Sequence, residues 1–187
     1  MKKILLNSIL SGILISLGAY AFSVVGGIIG AILFSFGLLS IIYFGIPLYT
    51  GAVGNVGLNK QSLIDIIIVL LGNLIGCLLI SFLYQGNIES LSSSVDIKMS
   101  QDFFTVLSKG ILCGVIIDCA VFLSKKKESM LPVLIGVPLF IMSGFLHSIA
   151  EPFYLMASKT FTIEALGYWS IVLLGNTIGC NLRRIFV

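Results

Sequence analysis

The stretch VLLGNLIGCLL at 69–79 returns as VLLGNTIGCNL at 172–182, with nine of eleven positions unchanged at an offset of 103 residues. Shared hydrophobicity alone does not produce a match that close, so the chain divides into two related halves. Each half holds three apolar runs, near 4–22, 24–46 and 63–84 and then near 103–124, 131–149 and 163–182. Every run is about the 17–25 residues that a spanning helix needs. Three spans per half send the second half into the membrane in the opposite direction, which is the inverted-repeat plan of many transporters and channels. The expected fold is all-α and integral to the membrane. It has six transmembrane helices in two inverted three-helix repeats, about 1–86 and about 100–187, in a single domain over 1–187.

Composition agrees with a lipid solvent. Hydrophobic residues make up 58% of the chain and charged residues 10%, against roughly 25% charged in a soluble domain, and the mean hydropathy is +1.13. Lys2 and Lys3 before an apolar run resemble a signal peptide, but the run is long, lacks a small-residue cleavage site and carries glycines suited to helix packing, so it is read as the first span. With both termini in the cytoplasm, the inner side receives Lys2, Lys3, Lys60, Lys125, Lys126, Lys127, Arg183 and Arg184, and the outer side only Lys98, Lys109 and Lys159. Positive residues are retained inside, so this multi-pass topology in the cell membrane is the consistent one. The KKKE run at 125–128 acts as a topology anchor, and the net charge of +3 calls for no nucleic acid. Cys77, Cys113, Cys119 and Cys180 fall in apolar runs without CxxC spacing, so neither a disulfide nor a metal is inferred, and no cofactor motif is present.

Two spans carry residues that break helices. The second ends FGIPLYTGAVGNVGLNK at 44–60, where Pro47, Gly51, Gly54 and Gly57 crowd a stretch still at membrane depth. The fifth reaches SGFLHSIAEPFYL at 143–155, with the single histidine, His147, then Glu151 and Pro152. Interrupted backbone is tolerated at that depth only where it faces protein or water, and paired broken helices point to a permeation site at the repeat interface. Gly72 with Gly76, and Gly175 with Gly179, set small residues one turn apart for helix packing. Asn73 and Asn176 add a buried amide that packing does not require, so they are expected to cap or tether the interrupted backbone. Asp118 is a further intramembrane acid, suited to either function or interhelical bonding.

These motifs together resemble the formate/nitrite transporter family. The family's second-span loop motif resembling LFTG stands here as LYTG at 48–51, and its GNxxG stands at 72–76 and 175–179. Its fourth-span GILCN-like start stands as KGILCG at 109–114, and its GFxHSxAN motif as GFLHSIAE at 144–151. The resemblance implies an aquaporin-like protomer with its own pore, within a homopentamer, passing small monovalent weak-acid anions such as formate, nitrite, lactate or hydrosulfide. It also implies pore roles for Thr50, for His147 at the centre, and for Lys98 in the loop before the fourth helix, sixteen residues ahead of Gly114.

Those positions have a coherent physical task. A bare anion meets a large desolvation penalty in a narrow apolar pore, whereas its neutral acid does not. Lys98 would attract the anion, and His147 would donate a proton or a hydrogen bond at the constriction, linking transport to protons. The chain departs from the family where Glu151 replaces asparagine and where Pro47 stands near a familiar acid. Pro152 suits the first position of a new helix, which places Glu151 at its cap, accepting amide hydrogen bonds. Ionised, Glu151 would hold His147 charged and oppose bare anions; protonated, it would join a proton relay. The alternatives are a channel for a small neutral solute or a different ion, or a membrane subunit of a larger transport complex. An enzyme has little support, since HExxH, GxSxG and a phosphate loop are all missing and there is no second histidine.

Overall fold

A computed structural model describes residues 1–54 and 60–186, with Lys60 described by its backbone alone. Gly57, expected to contribute to the first break, lies outside the described residues. Within them the chain forms α1 (Lys2–Val25), α2 (Gly27–Phe44), α3 (Tyr49–Val53), α4 (Lys60–Phe82) and α5 (Ile88–Met99). It continues with α6 (Phe103–Lys127), α7 (Leu131–Met142), α8 (Ala150–Ala157) and α9 (Ile163–Phe186). Among the described residues, α1, α2, α4 and α6 are long and apolar enough to cross a membrane. Helix α7 is apolar but has 12 residues, because the fifth apolar run stops being helical at Met142. Helix α9 has the length, but polar residues including Ser170, Asn176, Thr177 and Asn181 interrupt its apolar character.

The helices pack through small residues, which let backbones approach where lipid gives no hydrophobic drive between helices. Helix α1 lies along α4, and α6 along α9. A Cβ on Gly76 would strike the carbonyl oxygen of Ile9, and one on Gly179 that of Ile111. Gly12 meets the Asn73 carbonyl across the first seam as Gly114 meets the Asn176 carbonyl across the second. The two seams therefore use the same contacts at matching positions. Outward faces carry exposed Ile29, Ile32, Phe36, Ile67, Leu71 and Leu78, a surface suited to lipid or to apolar partners.

Both breaks begin alike. Helix α2 ends at Gly45, whose φ of 63° is left-handed; Gly45 N–H donates to Ile42 O and Ile46 N–H reaches back to Ile41 O. After α7, Gly144 has φ 68°, Gly144 N–H donates to Ile141 O and Phe145 N–H to Phe140 O. This six-to-one closure around a left-handed glycine satisfies the last carbonyls of each helix and turns the chain away. Non-helical chain then runs to α3 in one half and to α8 in the other. Pro47 thus lies beyond the stop, in a segment already non-helical.

Candidate functional site

The two amide side chains of the repeated motif each bond the backbone that follows a break. Asn73 Oδ1 accepts the Tyr49 N–H at 2.9 Å, while its Nδ2 donates to Ser8 O at 2.8 Å. Asn176 Oδ1 accepts the Ser148 N–H at 2.9 Å, and its Nδ2 donates to Gly110 O at 2.9 Å and Leu146 O at 2.8 Å. Both asparagines are fully buried. Each joins three segments: its own helix, the long neighbour and the interrupted strand of backbone. Helix α3 is held further by Tyr49 Oη with Thr177 Oγ1 at 2.8 Å and by Asn181 Nδ2 donating to Val53 O at 3.3 Å. Trp169 Nε1 donates to Ser148 O at 2.7 Å in the second half.

Thr50 and His147, both buried, meet where the breaks converge, with Thr50 Oγ1 and His147 Nε2 3.4 Å apart. His147 Nδ1 accepts the N–H groups of Ile149 and Ala150, each at 3.2 Å. Two N–H donors aimed at Nδ1 leave it unprotonated, so the hydrogen-bond pattern assigns the ring hydrogen to Nε2, facing Thr50. The imidazole also stacks on Phe140, with centroids 5.7 Å apart. The histidine therefore holds the first turn of α8 with one nitrogen and offers a donor with the other.

Glu151 and Pro152 do not sit as the sequence led us to expect. Helix α8 starts at Ala150, so Pro152 is its third residue and Glu151 its second, and Glu151 caps no backbone amide. Its carboxylate instead accepts from Lys98 Nζ at 2.9 and 3.2 Å and from the Tyr168 hydroxyl at 3.0 Å. Lys98 is likewise not in a loop but in the last turn of α5, with its ammonium 4.4 Å above the Tyr154 ring. Tyr168 was missed in the sequence because nothing local marks it as a partner of a residue 17 positions earlier. At the adjoining start of α6, Asp102 caps Phe104 and Thr105; the Thr105 hydroxyl, then its amide, hold the Asp102 carboxyl below the usual carboxylate range.

One cavity is lined by His147 and another by Gly51, the residue after Thr50, and no described residue lines both. The smaller, about 80 Å³, is lined by Phe22, Phe34, Phe140, His147, Lys98 and Glu151 among others. The larger, about 720 Å³, is lined by Gly51, Asp118, Lys125, Lys126 and Arg183 among others. Asp118 pairs with Arg183 Nε at 2.6 Å, and the guanidinium carbon lies 4.1 Å from the centre of the Phe122 ring. Arg183, expected to serve as a topology charge, is thus the counter-ion of Asp118. Gly51 lines this cavity inside helix α3, and a Cβ there would meet no described residue within 4 Å, so crowding by the described residues does not explain the glycine. Among the described residues no group of three or more His, Cys, Asp or Glu side chains could hold a metal ion.

A helical membrane protein with paired helix breaks and a buried histidine lining a cavity beside them has the architecture of a channel or transporter. The chain belongs to the formate/nitrite transporter family, whose profile it matches over residues 1–184. Members of that family are channels or transporters, not enzymes. The chain is 24% identical over 147 residues to the formate channel FocA of Haemophilus influenzae, a match covering 67% of this chain and 52% of that one. It is 25% identical over 221 residues to an uncharacterized transporter of Saccharomyces cerevisiae, covering 96% of this chain and 35% of that one. The chain thus spans about half the length of the first relative and about a third of the second. In fold it is similar to a pentameric formate channel with formate bound, at TM-score 0.82 and 20% identity over 98% of this chain and 94% of that one. It is also similar to an ion channel of the same family, at TM-score 0.86 and 20% identity over 97% and 86%.

Proposed function

We propose that the protein is a membrane channel for small monovalent weak-acid anions or their neutral acids, such as formate, nitrite or hydrosulfide. The protomer is a single aquaporin-like domain of six spans in two inverted repeats, with both termini in the cytoplasm. It sits in the cell membrane and assembles as a homopentamer, in keeping with the pentameric formate channel that shares its fold. The path joins the two cavities past Thr50 and His147, and the observation that carries this reading is the His147 ring. With Nδ1 occupied by two backbone amides, Nε2 donates a hydrogen bond where an anion would shed water, compensating part of its desolvation. A proton link requires Nδ1 to release those amides and take a proton, so transport and local backbone order are coupled. Lys98 and Glu151 set the potential of one mouth, Asp118 with Arg183 that of the other. Asn73, Asn176, Gly51 and Pro152 belong to the two breaks.

His147→Asn tests this reading in proteoliposomes across pH 5 to 8. The expected outcome is an assembled protein whose formate flux falls at least about tenfold and loses its pH dependence, since a preorganised donor is worth roughly 1.5–3 kcal/mol toward a charged acceptor. Unchanged flux and pH profile in a properly assembled variant would remove His147 from the mechanism. A second reading, a path for a neutral solute, draws on the Lys98 charge being matched by Glu151. Urea flux exceeding formate flux in the wild-type protein would favour it.

A further inference from the structure

We infer that Lys98, Tyr168 and Tyr154 form a recess for one small carboxylate anion, and that the chain occupies this recess with its own Glu151 side chain. The inference rests on the smaller cavity being one mouth of the pore. Both Glu151 oxygens lie against the same ammonium, at 2.9 and 3.2 Å, and Tyr168 donates a third bond at 3.0 Å. Lys98 is fixed from below by the Tyr154 ring 4.4 Å away. Donors from α5 and α9 thus surround a planar carboxylate carried by α8. Charge-assisted donors converging on one carboxylate are the arrangement that a free formate or acetate ion would need.

An ordinary structural salt bridge is the competing explanation, and two observations tell against it. A buried ion pair is a poor source of stability compared with packed apolar residues, and here the surrounding cavity wall is already aromatic, with Phe22, Phe34, Phe140 and Phe145. The pair also opens on that cavity rather than lying in closed core: Lys98 keeps 26% of its side chain exposed while Glu151 keeps 3%. Among the described residues lining the cavity, Lys98 and Glu151 are the formally charged ones, so they leave the mouth no surplus charge toward an arriving anion. A small carboxylate must compete with the tethered one. A neutral solute passes without that competition, which makes Glu151 a discriminator by ligand class.

The test is thermal melting of detergent-solubilised protein against sodium formate, with sodium chloride at matched ionic strength as control. Glu151→Ala empties the recess, so formate should raise its melting temperature saturably by several degrees, while wild type and the Glu151→Ala/Lys98→Met double variant stay flat. No formate effect on Glu151→Ala, or an equal effect on wild type, overturns the proposal. Should Glu151→Ala fail to assemble, Glu151→Gln removes the charge at nearly constant shape. Formate flux should then rise about tenfold over wild type with urea flux unchanged, and equal formate flux in the two proteins overturns the proposal. Formate binding by Glu151→Ala without formate flux in any of these proteins would uphold the recess and sink the channel reading, so the two failures are distinguishable.

Discussion

The two helix breaks are built alike and furnished differently. Each opens with a left-handed glycine, Gly45 or Gly144, and the same six-to-one backbone closure. Each is then bonded by the asparagine of a GNxIG motif through the amide of Tyr49 or Ser148. Past that point the likeness stops. The first break leads into a five-residue helix that presents Thr50 and Gly51; the second presents His147, Glu151 and an eight-residue helix. Duplicated residues hold the scaffold, and the residues that differ between the breaks line or adjoin the cavities. That partition can be attacked at the scaffold, at the seams and at the cavity wall.

Removing the scaffold amides should give the largest effect. Asn176→Ala strands the Ser148 N–H and the Leu146 carbonyl in the second break, whereas Asn73→Ala strands the Tyr49 N–H, since the Gly110 and Ser8 carbonyls keep their bonds within α6 and α1. Each buried orphan costs about 1–3 kcal/mol. The second-half variant should therefore lose more stability, by about 1–3 kcal/mol, in denaturant melts of the solubilised protein. Equal losses would mean that the third bond of Asn176 contributes nothing and that the two breaks are energetically identical.

That outcome bears on what the sequence could disclose. The GNxIG pair, LYTG and GFLHSIAE sufficed to indicate a helical membrane protein of this family, because packing of small residues and helix breaking are local properties written in short motifs. The side chains worth inspecting were also visible, since ionisable residues in apolar runs stand out. Their partners were not. Lys98 and Glu151 are 53 residues apart, Asp118 and Arg183 are 65 apart, and no spacing rule links them. Proline misled at Pro152 because its preference for the first turn of a helix leaves the register open by two residues. Gly45 and Gly144 went unnoticed as terminators because apolar runs on both sides hide the stop.

The seams should behave symmetrically where the breaks do not. Gly76→Ala and Gly179→Ala each drive a methyl into a backbone carbonyl, of Ile9 and Ile111 respectively, and backbone yields little. Overpacking of that kind costs about 1–3 kcal/mol. The two variants should melt within about 0.5 kcal/mol of one another, both below wild type. A difference as large as that expected between the asparagine variants would show that duplication of sequence has not preserved duplication of energetics.

The smallest effect on stability, and the sharpest on the comparison, is expected at Gly51. It belongs to the same small-residue class as Gly76 and Gly179, yet a Cβ there meets no described residue within 4 Å, and Gly51 lines the larger cavity rather than a seam. Helix α3 takes it without a left-handed φ, so alanine adds helix propensity of roughly 0.5–1 kcal/mol and removes no packing. Gly51→Ala should consequently melt at or slightly above the wild-type temperature. Its added methyl lies one residue from Thr50, on the wall of the larger cavity, and should lower formate flux severalfold if that cavity leads to the Thr50–His147 contact. Stability retained with flux reduced would assign this glycine to the path, whereas a loss of stability like that of Gly179→Ala would return it to the scaffold.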